Sequence, residues 1–252
     1  MKFKTLVAAL GLVAAAAPSF ATVAPPSTGN GELFLAVWDD VDAVSYVLDL
    51  GVALDSFNGT GSFSFGVNDS AWSDFLSQVG TDNLKFAVMG GDSAGSNAAN
   101  PRRLFTTTTD AASSTATNGN LATGLSQLNT YLGAVSQTGT HPGGNAINGS
   151  SVNANPDNGY FLKNNTQSLN LQLTFQTGTA VGSLAQFVSF QTSSVSSGTQ
   201  ALKSIFAGTF SLAQGANGYE LVYGAVPEPG TYALMLAGLG AVGFVARRRK
   251  AD

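Results

Sequence analysis

Gly91-Asp92-Ser93-Ala94-Gly95 has the G-x-S-x-G spacing of a nucleophile elbow. In that motif the serine sits on a tight strand-to-helix turn that presents its hydroxyl to substrate. Asp110 and His141, the one histidine in the sequence, follow in the chain order that an α/β-hydrolase uses. Three features oppose a secreted serine hydrolase built on Ser93. His141 comes only 48 positions later, too few for the elements that normally intervene. The stretch from Ser93 to Pro101 is poor in helix formers. No His-Gly-Gly oxyanion loop lies upstream. The pentapeptide therefore reads as a turn between strands, and the chain as non-enzymatic.

Asp39, Asp40 and Asp42 crowd a turn after Trp38 and offer hard oxygen ligands of the kind that bind Ca²⁺. They lack the D-x-D-x-D-G loop and its distal glutamate, so they read as solvated turn carboxylates. No metal or other cofactor is expected. Trp38, Tyr46 and Trp72 are the aromatics that could stack on sugar rings, which makes a carbohydrate- or ice-binding module an alternative reading. Aromatics in strands and helices default to core packing. The threonine run Thr106 to Thr109 reads as an edge strand.

Charge narrows the partners. Cysteine is absent, which excludes disulfides and thiolate metal sites. Between Thr22 and Val226 there are 13 acidic and 5 basic residues, a net charge of −8 against −4 for the whole chain. Such a segment repels nucleic acid and anionic lipid. Its richness in Ser, Thr, Asn, Gln and Gly suits a surface that hydrogen-bonds water or sugars.

Both ends read as targeting segments. Lys2 and Lys4 form a basic start, Thr5 to Ala17 is apolar, Pro18 breaks it, and Ser19 and Ala21 supply the small residues of a signal peptidase site. Residues 1–21 are thus a secretory signal peptide, handled by the Sec translocon and signal peptidase. At the other end, Val226-Pro227-Glu228-Pro229-Gly230 precedes an uncharged run, which is followed by Arg247, Arg248, Arg249 and Lys250. The prolines hold their neighbours extended. A helix over Tyr232 to Ala246 spans about 23 Å, short of the roughly 30 Å hydrocarbon core, and the arginine stems can snorkel to make up part of the difference. The basic cluster stays cytoplasmic. Residues 231–246 would then cross the inner membrane with the preceding domain outside.

Val226 to Lys250 resembles the PEP-CTERM protein-sorting signal, also catalogued as the C-terminal segment of ice-binding proteins. Gly230 departs from the pattern, in which serine or glutamate is common. The resemblance implies recognition of Pro227, Glu228 and Pro229 by an exosortase, a membrane cysteine transpeptidase-like enzyme. It implies that Arg247 to Lys250 hold the tail until processing. It also implies a cell-surface or extracellular protein linked to exopolysaccharide, biofilm or floc.

Between the ends, 22–225 is expected to form one exported domain, with the sorting segment over 226–252. Alternation predicts strands over Glu32 to Trp38, Ala43 to Leu50, Phe63 to Phe65, Leu84 to Met89, Leu169 to Phe175, Gln186 to Thr192, Ala207 to Leu212 and Tyr219 to Gly224. Helical spacing links Trp72, Phe75, Leu76 and Val79 after a capping Ser70, and links Leu121, Leu125, Leu128, Leu132 and Val135. Asp92 to Pro101 and Thr138 to Gly159 read as loops. The expected fold is mainly β: an antiparallel β-sandwich or jelly-roll-like domain with one or two helices on its edge, flanked by the signal peptide and the transmembrane helix.

Overall fold

The computed structural model describes residues 23–137, 149–162 except 156 and 158, and 178–225 except 217. The expected signal peptide, His141, the strand expected over Leu169 to Phe175 and the sorting segment beyond residue 225 lie outside the described residues. The ten described strands are β1 (Glu32–Asp39), β2 (Val44–Ala53), β3 (Phe63–Val67), β4 (Lys85–Asp92), β5 (Arg103–Thr108), β6 (Ser150–Ala154), β7 (Thr179–Ala180), β8 (Leu184–Gln191), β9 (Leu202–Gly215) and β10 (Gly218–Ala225). Two α-helices join them, α1 (Ser70–Gln78) and α2 (Asn118–Gln137).

Every strand pairing is antiparallel, and the strands form one sheet in the order β3-β10-β9-β8-β5-β4-β1-β2-β6, with β7 paired to β4. The mainly-β, antiparallel expectation holds at that level. The two-sheet sandwich is replaced by one continuous sheet that curls. Period-2 alternation explains how a single sheet makes two cores. Leu33, Leu35 and Val37 of β1 face a core shared with Tyr46, Phe86, Phe187, Phe210 and Tyr223. Phe34, Ala36 and Trp38 of the same strand face the other side, where Leu121, Leu125, Leu128, Leu132 and Val135 of α2 cover them. Helix α2 thus lies on a face of the sheet rather than on its edge.

Curling leaves the two terminal strands, β3 and β6, without a common ladder, and α1 packs between these margins. Trp72 places its ring 5.0 Å from Tyr46 on β2 and 5.0 Å from Tyr219 on β10. The helix starts where it does because the Asp69 carboxylate accepts from the Trp72 amide at 2.8 Å. Asp69, rather than Ser70, is therefore the cap.

Three expectations on strands need correction. The threonine run is not an edge: β5 pairs with both β4 and β8, and Thr106, Thr107 and Thr108 are buried. Strand β6 falls within the stretch expected to be loop. Its Ser-Ser-Val-Asn-Ala sequence has almost no apolar alternation, and pairing with β2 supplies the order instead. Strand β9 starts five residues earlier than expected, at Leu202, because its first turn exposes Leu202 and Ile205 and hides the pattern.

Candidate functional site

The Gly91 to Gly95 pentapeptide owes its glycines to packing. Gly91 sits on β4 against Leu125, Leu128 and Pro26, where a Cβ would collide with the Leu125 side chain. Gly31, across the sheet margin, would collide with the Gly91 carbonyl if it carried a Cβ. Ser93 follows the end of β4, and its amide donates to the Pro26 carbonyl at 2.8 Å. Asp92 accepts from the Ala94 amide at 2.9 Å and pairs with Arg103 at 2.8 Å. The chain then turns at Asn97, whose side chain accepts from the Ala99 and Asn100 amides, and enters β5. The motif joins two neighbouring antiparallel strands; no helix follows Ser93, so the strand-to-helix elbow is not formed there. Asp110 lies beyond the far end of β5, where Ser113 and Ser114 bond to its carboxylate and carbonyl. Six strand residues, about 20 Å, separate the two ends of β5 and hold Ser93 and Asp110 apart.

The three turn carboxylates are each engaged. Asp39 is buried and accepts from the Val41 and Asp42 amides at 2.7 and 3.0 Å, an Asx turn that closes the β1–β2 hairpin. Asp40 pairs with Lys85 at 2.8 Å, and its hydrogen bond to that ammonium holds its carboxyl below the usual range. Asp42 accepts from the Gly80 amide at 3.4 Å. Among the described residues no three His, Cys, Asp or Glu side chains gather as a metal would require. Trp38, Tyr46 and Trp72 are at most 3% exposed, so they are core side chains with no face open to a sugar ring.

Features that the linear sequence does not show emerge from the fold. A cleft of about 460 Å³ opens between α1 and edge strand β6. Ser70, Asp74, Ser77 and Gln78 line it from the helix, and Asn153 and Asp157 from the strand side. Hydroxyls, amides and two carboxylates without a basic residue suit a neutral polyhydroxy group or a cation. Nearby, Tyr46 donates to Asp69 at 2.7 Å, and burial, then the Asp69 charge, push that phenol well above its ordinary range. Asp49 on β2 is wholly buried. One of its oxygens accepts from the Gly51 amide at 2.7 Å, and the other has no partner. Burial, with a smaller push from Glu32, lifts its pKa to about 6.

Among the described residues no helix is long and apolar enough to cross a membrane. The last described strand, β10, runs to Ala225, and the Pro-Glu-Pro sequence begins two residues later. The described antiparallel domain thus ends two residues before the Pro-Glu-Pro sequence. Residues 225–250 match the PEP-CTERM protein-sorting motif, so the resemblance seen in the sequence holds and the chain carries that motif. No curated protein and no solved structure matches the chain.

Proposed function

We propose that this chain is an exported, non-enzymatic surface or matrix protein of an exopolysaccharide-producing bacterium. Its 22–225 domain is carried across the inner membrane, held there through residues 231–246 with Arg247 to Lys250 on the cytoplasmic side, and released by an exosortase acting at Pro227, Glu228 and Pro229. The observation that carries this reading is the sorting motif over residues 225–250. An acidic domain poor in charge, with uncharged polar side chains over its surface, suits a hydrated polysaccharide matrix.

Mass spectrometry of protein recovered from the medium tests the sorting step. Loss of the segment after about Pro229 is expected, together with retention in the membrane when the exosortase is deleted. Recovery of the intact tail in every exported molecule would falsify the processing step.

A second reading, a saccharide-binding module, draws support from the cleft between α1 and β6. Glycan-array binding that disappears in Asp74→Ala supports it. An array without signal removes it.

A further inference from the structure

The matched sorting motif begins at residue 225, and β10 is still hydrogen-bonded in the sheet at that residue. The last rung is Ala225 opposite Gly208, and Val226 alone separates it from Pro227. Two residue steps span at most about 7 Å, so an enzyme bound at Pro227 works close to the last rung of β10. Enzymes that bind peptides in extended form do so through the peptide's own backbone groups. An enzyme that encloses an extended peptide along both edges can bind the residues just before Pro227 only after they give up their ladder bonds to β9.

β10 is built unevenly in this respect. Tyr219 to Tyr223 pair with β9 on one side and β3 on the other, whereas Gly224 and Ala225 pair with β9 alone. Gly224 has no side chain, and a Cβ placed there would meet nothing within 4 Å, so no packing holds it. Tyr223 is the opposite case. It is wholly buried, its ring is stacked on Phe63 at 5.2 Å and lies 4.8 Å from Phe210, and its hydroxyl donates to the Gly59 carbonyl at 2.9 Å.

We propose that the exosortase grips this chain upstream of Pro227, on Gly224 and Ala225, which peel from β9 to be bound while Tyr223 stops the peeling. The inference rests on the exosortase reading above. It extends the recognition segment into the folded domain and makes the free end of β10 a determinant of processing.

The test uses the full-length protein in the exporting cell. Thr209 and Gly224 stand directly opposite on antiparallel strands. Such pairs have Cα atoms about 4.5–5.5 Å apart, within the reach of a disulfide. The chain has no other cysteine. The double variant Thr209→Cys, Gly224→Cys pins the peeling segment in an oxidising compartment. Processing, read by mass spectrometry as loss of the C-terminal segment, is expected to slow by at least about tenfold, because local opening is blocked. Dithiothreitol should return it to the wild-type rate. Four Gly/Ser residues inserted between Ala225 and Val226 should rescue the oxidised double variant. Wild-type processing of the oxidised variant overturns the proposal, as does failure of the spacer to rescue it. Absence of processing in the wild type overturns the exosortase reading itself, and this proposal with it.

Discussion

The Tyr46 hydroxyl donates a 2.7 Å hydrogen bond to the same Asp69 carboxylate that caps α1 through the Trp72 amide. One side chain thus ties a central residue of β2 to the start of the helix that sits between the sheet margins. Asp69→Ala removes the cap and leaves a buried hydroxyl without its acceptor. Loss of the cap costs about 1 kcal/mol, and an unsatisfied buried group adds about 1–3 kcal/mol. Tyr46→Phe removes one bond only and should cost about 1 kcal/mol. Urea denaturation of both single variants and the double variant is expected to give a coupling energy above about 0.5 kcal/mol. Additive losses would show that the two residues act separately.

Asp49 makes stability depend on pH in the direction opposite to an ion-paired carboxylate. Its folded pKa of about 6 lies above the ordinary value of 3.8 because burial disfavours the charge. Below about pH 4 both folded and unfolded chains hold the proton, and no penalty arises. Between about pH 4 and 6 the unfolded chain releases its proton first, so stability falls as pH rises. Above about pH 6 the loss is complete, with a ceiling of about 3 kcal/mol. Comparison of wild type with Asp49→Asn isolates the Asp49 component. Melting temperatures measured from pH 4 to 7 should diverge in favour of the variant as pH rises. Parallel curves would assign Asp49 an ordinary pKa.

The β1–β2 hairpin stores backbone strain at one position. Ala43 has φ of 56°, the left-handed region that a Cβ disfavours. Its carbonyl accepts from the Asn155 amide at 2.9 Å, so the turn is fixed by contacts on both sides. Ala43→Gly relieves the strain but loosens the unfolded chain, and the net gain should be up to about 1 kcal/mol. A rise in the urea midpoint is the expected result. Ala43→Val should lower it, because branching at Cβ worsens the same clash.

What the sequence disclosed depended on whether the information was local. The sorting motif is a run of consecutive residues, so reading it required no fold. Strands β1, β2 and β4 and both helices declared themselves because their apolar residues follow one period. Strand β6 did not, since Ser150, Ser151 and Asn153 are polar and are buried once β6 pairs with β2 and packs beside α1. One curled sheet and a two-sheet sandwich share the same alternation, and the difference lies in long-range pairings such as β5 with β8. The cleft was hidden for the same reason: Asp74 and Asn153 stand far apart along the chain and meet only because α1 packs on β6. The G-x-S-x-G pattern shows the reverse case, in which a local motif is visible and the fold gives its glycines a packing role.

Lys203 offers a sharp test of how the loop after β5 is held. Its Nζ donates to the carbonyls of Ala111, Ala112 and Ser114 at 2.7, 2.9 and 2.9 Å. Three acceptors converging on one point match the three rotatable donors of an ammonium. Lys203→Met keeps an unbranched side chain on β9 and removes the donors, so carbonyls in a partly buried loop lose their partner. The expected cost is about 1–3 kcal/mol, with faster amide exchange confined to residues near Ala111 to Ser114. Lys203→Arg retains the charge but presents a planar fork that cannot aim at one point. It should therefore recover less than half of the loss. Full recovery in Lys203→Arg would mean that charge alone holds the loop, because nothing else about the two side chains would then matter.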